Sequence, residues 1–370
     1  MYIDLVTPKE EIVRVFTDSL DQATTQQIIE MADAPAGRGA HIRIMPDAHA
    51  GKGCVIGTTM IIRDKVVPYY IGVDIGCGLL VNHLGKDKIN LEQLDEVIRH
   101  NVPSGFRIRK TKHVFANHLP KQIHEMQDRA DVKRAEHSVG TLGGGNHFIE
   151  LSRRKNGQYA LSIHTGSRKF GLEIAEYYQK LAQIYCDDLG LDIKKEHCYL
   201  EGDLMQDYLR DMRIAQEYAS INRAAIADSI RRGMDWEVLG ELSTVHNYID
   251  DRMILRKGAI NAELTRQVII PMNMSFGSII ASGKGNADWN YSSAHGAGRI
   301  MSRNKARKEI NMQDFQNSMK GIYTTCVNRN TIDEAPMAYK NPKRVIAELE
   351  DTIEVIETLK PIYNFKDKGD

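Results

Sequence analysis

The chain has no apolar run approaching the length of a membrane span, no tract of one charge, and no Pro/Ser-rich or repetitive segment. The first absence argues against a membrane-embedded protein, the others against disordered or fibrous architectures. Lys plus Arg equals Asp plus Glu, 49 against 49, so bulk positive charge gives no argument for a nucleic-acid partner. A local basic groove stays open. Cysteine is scarce: five residues without regular spacing, an odd number that speaks against a disulfide framework and for a reducing compartment. The opening MYIDLVTPKEE is too charged for a secretory signal, so the expected location is cytoplasmic. What remains is ordinary for a globular chain: 370 residues, 42% hydrophobic and 26% charged, enough to bury a large core.

Glycine is informative. The 29 glycines gather in DAHAGKGCVIG, IGVDIGCGLL, GTLGGGNHFIEL, HTGSRKFG, SGKGN and HGAGR, and five of these six segments carry His, Cys or Asp. Glycine is costly inside regular elements and useful where the backbone bends sharply or nears a ligand.

Periodicity supplies the frame. Thr7-Pro8-Lys9-Glu10 reads as the capped start of a helix running to about Met31. From His41 to His83 the runs HIRIM, CVIGTTMII, KVVPYYIGV and GLLVNHL read as strands joined by glycine loops. NLEQLDEVIRH is a short helix capped by Asn90, and the polar stretch from about Leu119 to Arg134 is expected to be helical and exposed. NHFIEL and YALSIHTGS are strand-like. Phe170 to about Asp187 and Leu204 to about Arg232 carry long helical patterns, so that about 170–235 forms a helical arm. TRQVIIPMN and SIIASGKG return to strand character, Asn341-Pro342 opens a helix to about Leu359, and IYNF is a final strand. Without a βαβ rhythm or a linker, 1–370 is expected to be one α+β domain.

Several residues carry chemistry. Asp74 and Cys77 stand three apart in a glycine-flanked turn, and His147, His164 and His246 complete a set of ligands for one or two transition ions. Thiolate and imidazole suit zinc, while the carboxylate also admits manganese or ferrous iron. Asn146 and Glu150 have opposite strand parity to His147 and would share the other face, with an amide and a carboxylate able to read a base or sugar edge. GKGN and HTGSR are glycine loops with a Lys or Arg, fit for phosphate oxygens. Tyr339 in DEAPMAYK is a candidate stacking platform. In NYSSAHGAGRIMSR, His295 sits among small residues that give a large group room to approach an imidazole.

Eight blocks in order, MPDAHAGKG (45–53), GVDIGCG (72–78), GTLGGGNHFIE (140–150), HTGSR (164–168), HNY (246–248), GKGN (283–286), HGAGR (295–299) and DEAPMAYK (333–340), resemble the RtcB family of RNA ligases. The resemblance spans most of the chain. It implies a large single domain with mixed and antiparallel sheets around a central metal and nucleotide cleft, and a GTP- and Mn²⁺-dependent ligase. Such an enzyme joins RNA ends bearing a 3′-phosphate or 2′,3′-cyclic phosphate to 5′-hydroxyl ends, in RNA repair or tRNA splicing, with an archease-like activator as a further expected partner. Carried over, His295 would accept GMP. Cys77 would bridge two Mn²⁺ ions, with Asp74 and His147 on one and His164 and His246 on the other. Asn146, Glu150, Ser278, Gly296, Gly298, Tyr339 and Lys366 would hold the nucleotide, and Asp47 would lie near the metals.

The chain departs from the family pattern at three places. Met272 to Ser278 reads MNMSFGS where a glycine-serine turn is usual, Ser-Ser-Ala precedes His295, and the chain ends NFKDKGD, leaving Lys368 as a competitor to Lys366. A shorter, divergent branch is implied. The alternative function is a metal-dependent 2′,3′-cyclic phosphodiesterase or phosphatase that no longer ligates.

Overall fold

The structure, a computed structural model, describes residues 2–367. Strands β1 (Ile3–Val6) and β2 (Ile12–Val15) precede helix α1 (Gln22–Asp33), followed by β3 (Ile42–His49), β4 (Ile56–Ile61) and β5 (Gly78–Leu84). Helices α2 (Leu91–Asn101) and α3 (Val132–Ser138) lead to β6 (Phe148–Arg153), β7 (Tyr159–Thr165) and the long helices α4 (Arg168–Asp188) and α5 (Gly202–Met234). Short strands follow: β8 (Gly240–Val245), β9 (Asn247–Ile249), β10 (Ile254–Lys257) and β11 (Ala259–Asn261). The chain closes through β12 (Gln267–Asn273), β13 (Gly277–Gly283), β14 (Ser292–Ala294), α6 (Arg303–Glu309), α7 (Met312–Ser318), α8 (Pro342–Glu348) and β15 (Ile353–Phe365).

Two large sheets organise this α+β domain. The first has the order β1-β2-β3-β4-β10-β9 and is mixed, since β2 and β3 run parallel and the other pairs antiparallel. The second, β12-β13-β15-β6-β7-β5-β8, is antiparallel throughout. Its two ends approach each other, the Ile269 N–H donating to Thr244 Oγ1 at 3.1 Å, so the sheet curls. Strand alternation then sorts its side chains. Leu79, Val81, Ala160, Ile269, Ile280 and Leu359 pack together on one face, while Leu80, Ile149, Leu151, Leu161 and Ile163 pack with Ile98 of α2 and Ile226 of α5 on the other. Both faces are buried. α4 and α5 supply Tyr178, Ala182, Tyr208, Met212 and Ala215 to the largest apolar cluster, which also takes in Ile28 and Met31 of α1.

Four sequence expectations are corrected. The helix expected from Thr7 begins only at Gln22, capped by Asp21, whose carboxylate accepts from the Thr24 N–H at 2.7 Å. Thr7 to Glu10 is instead a hairpin turn, because Ile12, Val13 and Val15 are β-branched and find a partner in β1. KVVPYYIGV is not a strand: Pro68 opens a single 3₁₀ turn, Pro68–Tyr70, as a residue without an N–H must weaken a ladder. The 119–134 stretch gives a 3₁₀ turn, Lys121–Met126, and only the beginning of α3. The helix expected to reach Leu359 stops at Glu348, since Ile353, Val355, Ile356 and Thr358 prefer the extended strand β15. Asn90 does cap α2, accepting from the N–H groups of Glu92 and Gln93.

One buried amide ties α5 to the sheet. Asn222 Oδ1 accepts from the Gly140 and Thr141 N–H groups at 2.8 and 3.1 Å, and Nδ2 donates to the Thr141 and Gly166 carbonyls, both at 3.1 Å. Asn222→Leu keeps the volume but strips these partners, at about 1–3 kcal/mol for each group left unpaired. The variant is expected to lose about 3 kcal/mol or more, read as a lowered midpoint in chemical unfolding; a wild-type midpoint would contradict this role.

Candidate metal centre and adjoining cleft

Strands β6, β7, β5 and β8 lie side by side with alternating direction, so the starts of β5 and β6 and the ends of β7 and β8 share one margin of the sheet. Cys77 immediately precedes β5, His147 precedes β6, His164 is the penultimate residue of β7, and His246 follows β8. Ligands far apart in sequence thus become neighbours by strand pairing alone.

Cys77 Sγ lies 3.4 Å from His164 Nε2 and 3.6 Å from His147 Nε2; His164 Nε2 lies 3.4 Å from His246 Nε2. A tetrahedral ion bound at ordinary sulfur and nitrogen distances separates its donors by about 3.4–3.6 Å. Two groups meet at the thiol, Asp74–Cys77–His147 and Cys77–His164–His246, the donor atoms within each group lying within 4.8 Å of one another. Half-buried Asp74 approaches His147 Nε2 at 2.9 Å through Oδ2, and its Oδ1 accepts from the Ser167 N–H at 3.1 Å. Gly166 makes room for it: a Cβ there would stand 2.2 Å from Asp74 Oδ1.

The surroundings prepare these donors. His147 Nδ1 is 2.9 Å from the Leu142 carbonyl and His164 Nδ1 is 3.1 Å from the Asn146 carbonyl. A carbonyl only accepts, so each Nδ1 carries a proton; His164 Nε2 is then left to present a lone pair toward the thiol, while His147 Nε2 faces the Asp74 carboxylate. Burial pushes His164 and His246 well below the ordinary imidazole range, with neighbouring imidazoles adding to the effect. Burial, reinforced by the Asp74 charge, pushes the Cys77 thiol well up. Burial also opposes ionisation of Asp74, but the His147 contact outweighs it and holds the carboxyl below its usual range. Imidazoles, a carboxylate and a thiol that only a cation would ionise form a donor set that fits transition-metal ions.

His295 extends the centre. It follows β14, whose pairing with β11 leads it to the metal margin, and its ring centroid is 4.9 Å from that of His246. Asp47 of β3 is fully buried, and its Oδ2 is 2.7 Å from His295 Nδ1. The distance is that of an ion pair, yet the ring N–H is not aligned as a hydrogen bond, and among the described residues neither carboxylate oxygen has another donor. Gly298, at φ +72°, lets the HGAGR run lie against β3, since a Cβ would meet the Asp47 carbonyl at 2.4 Å.

A cleft of about 560 Å³ opens beside His164 and His295. Gly296, Gly298, Asn146, Glu150, Ser278, Tyr339 and Lys366 line it. Ser278 Oγ is buried and has no hydrogen-bond partner among the described residues. Lys366 Nζ contacts Glu334 Oε2 at 3.0 Å and the His147 carbonyl at 3.4 Å; Lys368 lies outside the described residues. Two carboxylates of this cleft behave oppositely. Burial lifts Glu150 to about 7 despite donors from Ser152 and Asn364. Burial opposes Glu334 too, but the Lys366, Arg303 and Arg299 charges hold it down at about 2.

Sequence reasoning missed several supports. Arg299, unassigned from sequence, reaches Glu334 Oε1 at 3.3 Å and Tyr339 Oη at 3.2 Å, while Arg303 reaches Glu334 at 2.6 Å. Fully buried Arg223 of α5 donates through Nη1 to the carbonyls of Gly76 and Thr165 at 2.8 and 2.9 Å, the residues adjoining Cys77 and His164. The adjacent Asn222-Arg223 pair, two polar residues within the Ala-rich face of a helix, was the available signal. His49 also lines the cleft, its Nδ1 3.0 Å from the Asp47 carbonyl.

Gly166→Ala is expected to push Asp74 off His147 and weaken divalent-metal binding about ten-fold, the scale typical of outer contacts to metal ligands. Calorimetric titration with Mn²⁺ reads this; unchanged affinity would contradict the tight fit.

Residues 27–367 match the family model described as "tRNA-splicing ligase RtcB". The "RNA-splicing ligase RtcB" of Escherichia coli K12 is 30% identical over 99% of this chain and 100% of its own length. A "tRNA-splicing ligase RtcB" of Aeropyrum pernix is 28% identical over 82% of each chain, and an "RNA-splicing ligase RtcB homolog 2" of Entamoeba dispar 23% over 87% and 80%. With seven of the eight collinear motifs meeting at one metal-ligand cluster and cleft, GKGN lying apart with Lys284 on the Glu350 carbonyl, and a full-length match at this identity, the chain belongs to the RtcB family of RNA-splicing ligases.

Proposed function

We propose that this protein seals RNA ends by a guanylate-transfer route, joining a 3′-phosphate or 2′,3′-cyclic phosphate end to a 5′-hydroxyl end with GTP as cosubstrate. The observation that carries this reading is that His295 and the metal-ligand candidate His164 line the same cleft as Asn146, Glu150, Ser278, Tyr339 and Lys366. Two Mn²⁺ ions, one held by Asp74, Cys77 and His147 and one by Cys77, His164 and His246, would neutralise triphosphate charge and polarise phosphoryl oxygens when bound.

The protein's own groups supply the rest. Asp47 beside Nδ1 favours a proton there, leaving the His295 Nε2 lone pair to attack the α-phosphorus as the bond to pyrophosphate breaks. An oxygen of the RNA 3′-phosphate then displaces the imidazole from GMP. The 5′-hydroxyl oxygen next attacks the activated RNA phosphorus and loses its proton, GMP leaves, and a phosphodiester remains. A cyclic end first adds water to become a 3′-phosphate. Gly296 and Gly298 give the nucleotide phosphates clearance, and Lys366, Tyr339 and Ser278 contact the nucleotide. Both nucleotide contacts placed in segments that depart from the family pattern, Ser278 and Lys366, face the cleft, which favours ligation over end-opening alone.

Incubation with Mn²⁺ and α-labelled GTP is expected to give an acid-labile, alkali-stable adduct that His295→Ala abolishes. A metal-loaded protein that forms no adduct yet opens cyclic phosphate without GTP would overturn the proposal.

Glu150 gives the site a pH signature. Guanine N–H groups donate more strongly to an ionised carboxylate, which accepts through both oxygens, and this carboxyl, lifted to about 7, is protonated below that pH. GTP binding is therefore expected to strengthen as pH rises from 6 through about 7 and then level off, by at most about ten-fold per unit, one proton being released. Glu150→Gln should bind more weakly and without that rise; an unaltered pH profile in the variant would exclude Glu150 as the acceptor.

A further inference from the structure

The loop after α2 combines two properties that packing does not explain. From Val102 to His124 the chain has no Asp or Glu but five Lys or Arg and three His, in a protein whose formal charge is zero. At the tip of a turn within it, Phe106 is 94% exposed, the highest value for a large hydrophobic residue among the described residues. Val114, 52% exposed, lies in the same segment.

Nor is the Phe106 turn loosely held. The Arg107 N–H donates to the Ser104 carbonyl at 3.2 Å, closing the turn, and the Gly105 N–H donates to the Gly143 carbonyl at 3.0 Å. Arg168 Nη2 donates to the Gly105 carbonyl at 2.7 Å, and Arg134 Nη2 to the Phe106 carbonyl at 3.3 Å. Gly143 leads directly into the GGNH run that carries Asn146 and His147, and Arg168 follows Ser167, whose N–H holds Asp74. The turn is therefore fastened to two segments that build the metal centre, with its aromatic ring left in water.

The cations around it differ in availability. Arg109 is spent on the Val139, Asn101 and Gly140 carbonyls, and Lys112 pairs with Glu136 at 2.6 Å. Arg107 bonds only Ser104, and exposed Lys110 has no ion-pair partner among the described residues. A rigidly mounted exposed ring beside free cations, in an acid-free segment, matches what an unpaired nucleotide needs: a π-face for the base and positive charge for the phosphate. A duplex, recognised by shape across its groove, has no use for a ring on a turn tip.

We propose that Phe106 is a stacking platform for a base of the single-stranded RNA terminus entering the metal centre, with Arg107 and Lys110 on the adjoining phosphates. This rests on the RNA-joining reading above and assigns that reading a strand-entry surface.

The test uses the full chain, without GTP, and a short single-stranded RNA carrying a 3′-phosphate and an internal 2-aminopurine. Wild type is expected to bind with quenching of the base fluorescence. Phe106→Ala should bind about ten-fold more weakly and quench less, and Phe106→Trp should restore both. Lys110→Gln should lower the dependence of log affinity on log salt by about 0.7, one phosphate contact on a single strand. Equal binding by Phe106→Ala and wild type, or a loss that Trp does not restore, overturns the platform while leaving the RNA reading intact. The same Phe106 dependence for a blunt duplex also overturns it. Failure of wild type to bind RNA at all overturns the RNA reading and the platform together.

Discussion

The crowding of lone pairs around one buried thiol is the constraint on which the rest of this molecule depends. Cys77 stands within 3.6 Å of two imidazole nitrogens, a third imidazole lies 3.4 Å from one of them, and the Asp74 carboxylate is close behind. Burial keeps two of these imidazoles neutral and the thiol protonated, so apart from the Asp74–His147 contact the set has little internal attraction without a cation. Its position is bought by its surroundings: four strand ends on one margin, two carbonyls that fix imidazole tautomers, a glycine where Asp74 needs space, and a buried guanidinium that clasps the carbonyls beside two ligands. An unpaired guanidinium would be expensive at that depth. Arg223 places its Nη1 on two carbonyls, and its charge lies near Cys77 and Asp74, where it favours their ionised forms.

The cleft repeats this economy with carboxylates. Glu334 is buried under three cations and stays charged, which makes it a fixed anchor for Lys366, Arg299, Arg303 and Tyr339. Glu150, buried with weaker donors, stands near neutrality. One residue type therefore serves as scaffold in one place and as a group poised to change its charge in another, the difference lying in the number of cations within reach. Asp47 is a third case, a buried carboxylate whose nearest partner is the His295 ring.

Much of the site was legible because glycine clusters mark where backbones must pass close to functional groups, and Gly166 and Gly298 do so with Asp74 and Asp47. Asp74, Cys77, His147, His164 and His246 could be gathered as candidates, but only the antiparallel order β6-β7-β5-β8 says that their strand ends coincide. Tertiary pairing is also what defeated the N-terminal helix: Thr7 to Glu10 carries a helix-start pattern, and the β1–β2 ladder overrode it. Buried polar residues on helices were hardest to see. Asn222 and Arg223 act through backbone groups of loops that a linear sequence does not place beside α5.

Under the proposed function Cys77 serves two metal ions at once. Counting Mn²⁺ per chain by native mass spectrometry, in wild type and Cys77→Ala, addresses it directly. The account predicts two ions bound by wild type and the loss of both in the variant; a variant that keeps one ion at wild-type affinity would show that the thiol is not shared.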